Sequence, residues 1–272
     1  MTITLGCHLW TFPQCTLAEA AGIIRALGLA HMDLGNARDF DPVYIAAHVT
    51  AEAARLNRLK AEHGLTFVDA FPDIAPSYSL NQPDPALRAQ RRPLHTAFLD
   101  FAAAIGLSGV TFSPGHYWPG QTPQSDFDHA AEELRHLVAE GAQRGLHIRI
   151  EPHIGSVTWT PDLTLAMLAA VPGLSLTLDY SHFTFHAMPL AHISVLDPHA
   201  THWHARQAGH GNAQARLAQG VIDFPRIIRD LQARGYAGTL CLEYVHGDWV
   251  GLDNVDCLSE TIKLRDELRR WL

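Results

Sequence analysis

The chain has 272 residues, of which 47% are hydrophobic and 18% charged, with a formal net charge of −8. That describes a globular protein with room for a substantial core, as one large domain or two small ones. The acidic balance repels phosphate backbones and argues against a nucleic-acid partner. No apolar run approaches the roughly 20 residues of a membrane helix, so no membrane association is expected.

The first apolar strand is expected at Ile3–His8, followed by a helix over Leu17–Leu27. Strand two, His31–Gly35, leads to a helix over Ala46–His63; strand three, Thr66–Phe71, leads to one over Pro85–Ile105. Strand four, Gly109–Ser113, precedes a helix over Asp126–Arg144. Strands five and six, His147–Glu151 and Leu174–Asp179, flank a helix over Asp162–Ala170. After strand six only a short helical stretch, Ala187–Val195, is expected. Strand seven, Thr201–Ala205, is followed by a helix over Phe224–Arg234, and strand eight, Thr239–Glu243, by one over Asn254–Trp271.

One signal repeats: a helical segment ends in Gly, and an apolar strand follows within a few residues. It occurs at Gly28, Gly64, Gly106, Gly145, Gly173 and Gly235. Gly just past a helix supplies a left-handed cap without steric cost. Near-continuous apolar strands imply burial on both faces, as in a parallel sheet. Eight alternating β and α units indicate α/β architecture, a single (β/α)8 TIM barrel domain over residues 1–272. No GxGxxG follows the first strand, so an open dinucleotide-binding sheet gains no support. The long loops Phe71–Pro83 and Ser113–Ser125 would wall the catalytic face. Four cysteines without CxxC spacing, and an N-terminus lacking a basic region before a long apolar one, suggest a reduced, cytoplasmic protein.

Chemistry concentrates at the ends of strands five to eight, where Glu151, Asp179, His204 and Glu243 stand. Neighbouring strands of a barrel bring their C-terminal ends together, and three carboxylates that close repel unless a cation lies between them. A lone acid at a strand end is commonly a cap, but four such residues on consecutive strands point to a metal site. Mixed oxygen and nitrogen ligation suits one divalent ion, Mn²⁺, Mg²⁺ or Co²⁺, with Zn²⁺ a further candidate. Substrate contacts are expected from His182, three residues after Asp179, and from His153, Arg206 and His210. His8, Trp10, His116 and Trp118 follow on the loops or ends of strands one and four. For His153 an orienting role behind Glu151 is an equal reading, and for Arg206 a plain surface charge is.

These residues resemble the xylose-isomerase-like TIM-barrel superfamily, the sugar phosphate isomerase/epimerase group. The resemblance covers nearly the whole chain and rests on IEPHIGS, LTLDYSHF, HWHARQA and the following RLAQGVIDFPRIIRDLQARGYAGTLCLE. It carries the family's metal ligands onto Glu151, Asp179, His204 and Glu243, and its substrate histidine onto His182. It implies a metal-dependent isomerase or epimerase of a small polyhydroxy carbonyl compound, working through an enediolate. Glu151 and Glu243 would form the base–acid pair while also holding the metal. Ketose 3-epimerases of this group carry a Glu where this chain has Val157 and an Arg where it has His210. The related DNA-repair endonucleases need further ligands where Ser113, Asn212 and Gln214 stand here. A dehydratase acting on a keto-inositol or similar cyclic ketone shares the enolate step and is the second reading. A phosphodiester hydrolase and a non-catalytic sugar-binding protein rank below it. A homo-oligomer is compatible with all of these.

Overall fold

The computed structural model describes residues 2–35, 37–72 and 79–272. Residues 73–78 of the expected loop Phe71–Pro83 lie outside the described residues. Eight strands form: β1 (Thr4–His8), β2 (His31–Leu34), β3 (Thr66–Ala70), β4 (Gly109–Phe112), β5 (His147–Ile150), β6 (Ser175–Asp179), β7 (Ala200–Ala205) and β8 (Thr239–Leu242). The registered pairs are all parallel, in the order β3-β2-β1-β8-β7-β6-β5-β4. The two outer strands meet as well. The Ser108 amide donates to the Val68 carbonyl at 3.0 Å, and the Thr111 hydroxyl to the Asp69 carboxylate. The sheet is thus a nearly closed (β/α)8 barrel, as the sequence pattern indicated.

The helices that cover it are α1 (Leu17–Ala26), α2 (Pro42–Ala47), α3 (Val49–His63), α4 (Pro85–Ala104), α5 (Pro123–Gln143), α6 (Pro161–Ala170), α7 (Tyr180–Phe185), α8 (Leu190–Ile193), α9 (Phe224–Ala233) and α10 (Cys257–Leu268). Their amphipathic faces follow the helical period; in α9, Phe224, Ile227, Ile228 and Leu231 all turn inward. Each of the six expected capping glycines has positive φ, between 60° and 91°. No helix is long and apolar enough to cross a membrane among the described residues.

Three of the differences from the expected boundaries have a local reason. The stretch expected as one helix over Ala46–His63 is two, because the His48 ring donates from Nδ1 to the Tyr44 carbonyl at 2.9 Å and ends α2 there. Helix α5 begins at Pro123 rather than Asp126, because Thr122 and Ser125 cap each other's backbone amides. Helix α10 begins at Cys257 rather than Asn254, because Asp256 accepts from the Ser259 amide at 2.7 Å.

On β5, β6 and β7 the barrel interior is polar. Side chains two apart on a strand share a face, so the inward residue below each strand-end group is fixed by parity. Below Glu151 lies Arg149, below Asp179 Thr177, and below His204 His202, all buried. Arg149 donates to Asp69 at 3.0 Å, to Thr201 at 2.8 Å and to Ser108 at 3.1 Å, tying β5 to β3, β7 and the start of β4. Thr111 bridges Asp69 and, at 2.5 Å, Thr177. This layer supports the groups at the mouth.

Candidate active site

The ends of β5 to β8 place Glu151, Asp179, His204 and Glu243 together at the C-terminal mouth of the barrel, all buried. His204 is central. Its Nδ1 donates to Glu151 Oε1 at 2.7 Å and lies 3.4 Å from Glu243 Oε2. On the other side its Nε2 lies 3.5 Å from Asp33 Oδ2, an oxygen that also accepts from His202 Nε2 at 2.6 Å. Asp33 on β2 thus faces the edge of the ring opposite the one that Nδ1 turns to the two glutamates. Sequence reasoning missed Asp33, since an acid inside a short strand carries no local mark of its partner.

Asp179 is held differently. It accepts from the Ser181 amide at 2.8 Å and the Ser181 hydroxyl at 2.6 Å, and pairs with Arg206 Nη2 at 3.0 Å. Arg206 Nη1 lies 3.7 Å from Glu243 Oε2, its Nε donates to Ser181 Oγ at 2.8 Å, and its Nη2 lies 3.1 Å from His182 Nε2. His182 therefore accepts on Nε2 and carries its proton on Nδ1, a buried atom without a partner among the described residues.

These contacts separate the two glutamates. Burial, reinforced by the nearby Glu243 charge, pushes the Glu151 carboxyl up to about 7. Burial alone would also raise Glu243, but His204 and Arg206 beside it hold that carboxyl below its usual range. Burial would lower His204, yet Glu243 and Glu151 on one side and Asp33 on the other raise it well above the usual imidazole range. Burial, then the Arg206 charge, holds His182 well below it, so that ring is neutral. Two carboxylates in one site with divergent proton affinities are suited to acid and base roles.

A cavity of about 490 Å³ opens above this group. Of the expected contact residues, Trp10, His116, His153, His182 and Arg206 line it, together with Glu151 and Glu243. His153 is fixed by donating to the Ile154 carbonyl at 3.0 Å and accepting from the Ser113 hydroxyl at 3.0 Å. The Trp249 ring, which the sequence reading did not single out, stands over the opening 6.3 Å from both His153 and His182. Three expected contacts lie elsewhere. His210 is exposed on its loop. Trp118 turns away to donate to Asn81 at 3.1 Å. His8 is buried below the cavity with its ring 5.1 Å from His204, accepting from the Trp10 amide on Nδ1. For these three, a place at or after the strand end did not fix which way the side chain turns.

The donor set could hold a metal ion. Glu243 Oε2 is buried, lacks a hydrogen-bond partner among the described residues, and faces His204 Nδ1. Among the described residues, ligand atoms within 4.8 Å of one another fall into three groups, the last two sharing His204: Glu151, Asp179 and His182; His8, His204 and Glu243; and Asp33, His202 and His204. The four expected ligands are split over the first two groups, with Arg206 bridging Asp179 and Glu243.

A search of the curated proteins finds no match to the chain. Solved structures share its fold at low identity. A D-psicose 3-epimerase studied with D-fructose is 15% identical with a TM-score of 0.77, with 99% of each chain covered. A 3-keto-D-glucoside 4-epimerase from E. coli is 16% identical with a TM-score of 0.74, covering 99% of this chain and 100% of that one. A xylose isomerase-like TIM barrel protein from Mycobacterium smegmatis in complex with magnesium is 19% identical with a TM-score of 0.73, covering 100% of this chain and 98% of that one. The family model of the xylose isomerase-like TIM barrel matches residues 21–271, so the chain belongs to that family.

Proposed function

We infer that the protein is a divalent-metal-dependent isomerase or epimerase acting on a small, uncharged polyhydroxy carbonyl compound. The observation that carries this is the placement of Glu151 and Glu243 on either side of His204 at the floor of a cavity. Moving a proton on carbon needs one carboxyl poised to exchange it near neutral pH and a fixed charge field beside it. The epimerase activities named for two similar folds, and the magnesium bound by a third, favour the same reading.

Glu151, Asp179, His204 and Glu243 would hold the ion, which when bound supplies a Lewis acid for a carbonyl oxygen. The remaining work falls to the chain. Glu151 takes the proton next to the substrate carbonyl and, then neutral, returns it to the same or the adjacent carbon, while Glu243 stays charged beside it. His182 donates from Nδ1 to a substrate oxygen, its tautomer fixed by Arg206 on Nε2. Trp10 and Trp249 cover the apolar face of the substrate and exclude water.

The lining favours an uncharged substrate. Arg206 is the only Lys or Arg among the described lining residues, and its nitrogens are turned to Asp179, Ser181 and His182. His95 and His153 on the walls are neutral, each pushed down to about 4 by burial.

A screen of ketoses, keto-glycosides and keto-inositols for solvent deuterium incorporation tests the reading. We expect exchange with conserved product mass, and at least a hundredfold slower exchange in Glu151→Gln protein that retains its metal. Exchange at the wild-type rate in that variant would remove Glu151 from its role. Loss of water from the product would assign the protein to the dehydratases instead.

A further inference from the structure

We propose that Arg206 is a positioning residue that acts as a built-in counter-cation, matching the ligand set to an ion of charge two and limiting how tightly that ion is held. The inference rests on the metal reading given above. Arg206 is 2% exposed, and its guanidinium faces the ligand acids: Nη2 is 3.0 Å from Asp179 Oδ2 and Nη1 is 3.7 Å from Glu243 Oε2. Ser181 completes the clamp, donating to Asp179 at 2.6 Å and accepting from Arg206 Nε at 2.8 Å. Guanidinium cannot be deprotonated inside a protein, so this charge is permanent.

The charge count follows from the residues. Among the four ligands, Glu151, Asp179 and Glu243 bring three negative charges when ionised, and a metal-bound histidine is neutral; Asp33, beyond His204 and paired with His202, is the same in every variant and stands outside this count. Arg206 cancels one of the three, and a divalent ion cancels the other two. With a neutral side chain at position 206, the same ion would leave the buried site with one uncompensated negative charge. Such a site attracts cations more strongly and balances a trivalent ion instead. Arg206 also spans Asp179 and His182, so the element that limits the metal's hold fixes the substrate-facing histidine as well.

The test compares the purified full-length wild type with Arg206→Met, Arg206→Lys and Ser181→Ala, titrating Mn²⁺ and then displacing it with Tb³⁺. Circular dichroism melts check folding. Arg206→Met is expected to bind Mn²⁺ at least tenfold more tightly and to shift preference toward Tb³⁺ by a further tenfold. Arg206→Lys keeps the charge, and Ser181→Ala removes only a neutral partner, so both should stay within about threefold of wild type in Mn²⁺ affinity. Loosened structure would weaken binding of both ions together, so a gain in affinity with altered charge preference reports charge alone. Unchanged or weaker Mn²⁺ binding in Arg206→Met overturns the proposal. If Arg206→Met does not fold, a Tb³⁺ preference in Arg206→Lys raised as much as tenfold overturns it instead, and an unchanged preference supports it. Absence of any saturable Mn²⁺ site in the wild type would overturn the metal reading itself.

Discussion

Replacing Arg149 by Met removes the cation at the centre of the barrel while keeping most of its volume. Arg149 and Asp69 are each 2% exposed at the side chain and 3.0 Å apart. The substitution strands Asp69 beside Thr111 alone and takes the donors away from Thr201 and Ser108. Breaking a buried pair from one side costs about 3–5 kcal/mol, because the remaining charge stays desolvated. Unfolding entropy near 2.1 cal/mol/K per residue implies about 0.6 kcal/mol per degree for a chain of 272 residues. The expected fall in Tm is therefore about 5–9 °C by calorimetry. Asp69→Asn combined with Arg149→Met should recover at least half of that loss, since no buried charge then remains unpaired. A shift below about 2 °C for Arg149→Met, or a double variant no more stable than the single one, would refute the argument that this pair braces the barrel beneath the site.

Three further outcomes can be measured. Asp33→Asn should weaken Mn²⁺ binding about 10–100-fold, the usual effect of losing the group that orients a ligating histidine; unchanged affinity would remove Asp33 from that role. Metal analysis of protein purified without chelator should find a divalent ion in the wild type and little in Asp179→Asn or His204→Ala, and equal content in all three would count against the ligand set. Burial pushes His95 down to about 4, whereas the unfolded chain titrates near 6.5. Between those values the unfolded state binds the extra proton. The neutral ring's contribution is therefore fully present above about pH 6.5 and is lost as pH falls toward 4, by up to about 3 kcal/mol. His95→Gln should flatten the decline in Tm from pH 7.5 to pH 4.5, and an identical decline would show that His95 does not drive it.

The sequence by itself determined the repeating unit and the pole of the barrel where the chemistry lies. Glycine caps at Gly28, Gly64, Gly106, Gly145, Gly173 and Gly235 are local signals, since a left-handed residue after a helix depends only on its neighbours in the chain. Position at a strand's end likewise decides at which end of a parallel barrel a side chain emerges, which is why Glu151, Asp179, His204 and Glu243 were legible together. The alternation of polar residues along Arg149–Glu151, Thr177–Asp179 and His202–His204 was also there to be read, and it marks the inward face. Only the tertiary structure decided the partners. Arg149 meets Asp69 across 80 positions, His202 meets Asp33 across 169, and Arg206 turns its guanidinium to Asp179 at the edge of the cavity. Parity says which face a side chain takes but not which group of another strand it meets. That depends on strand order, register and closure, and these are settled by the packing of the whole barrel.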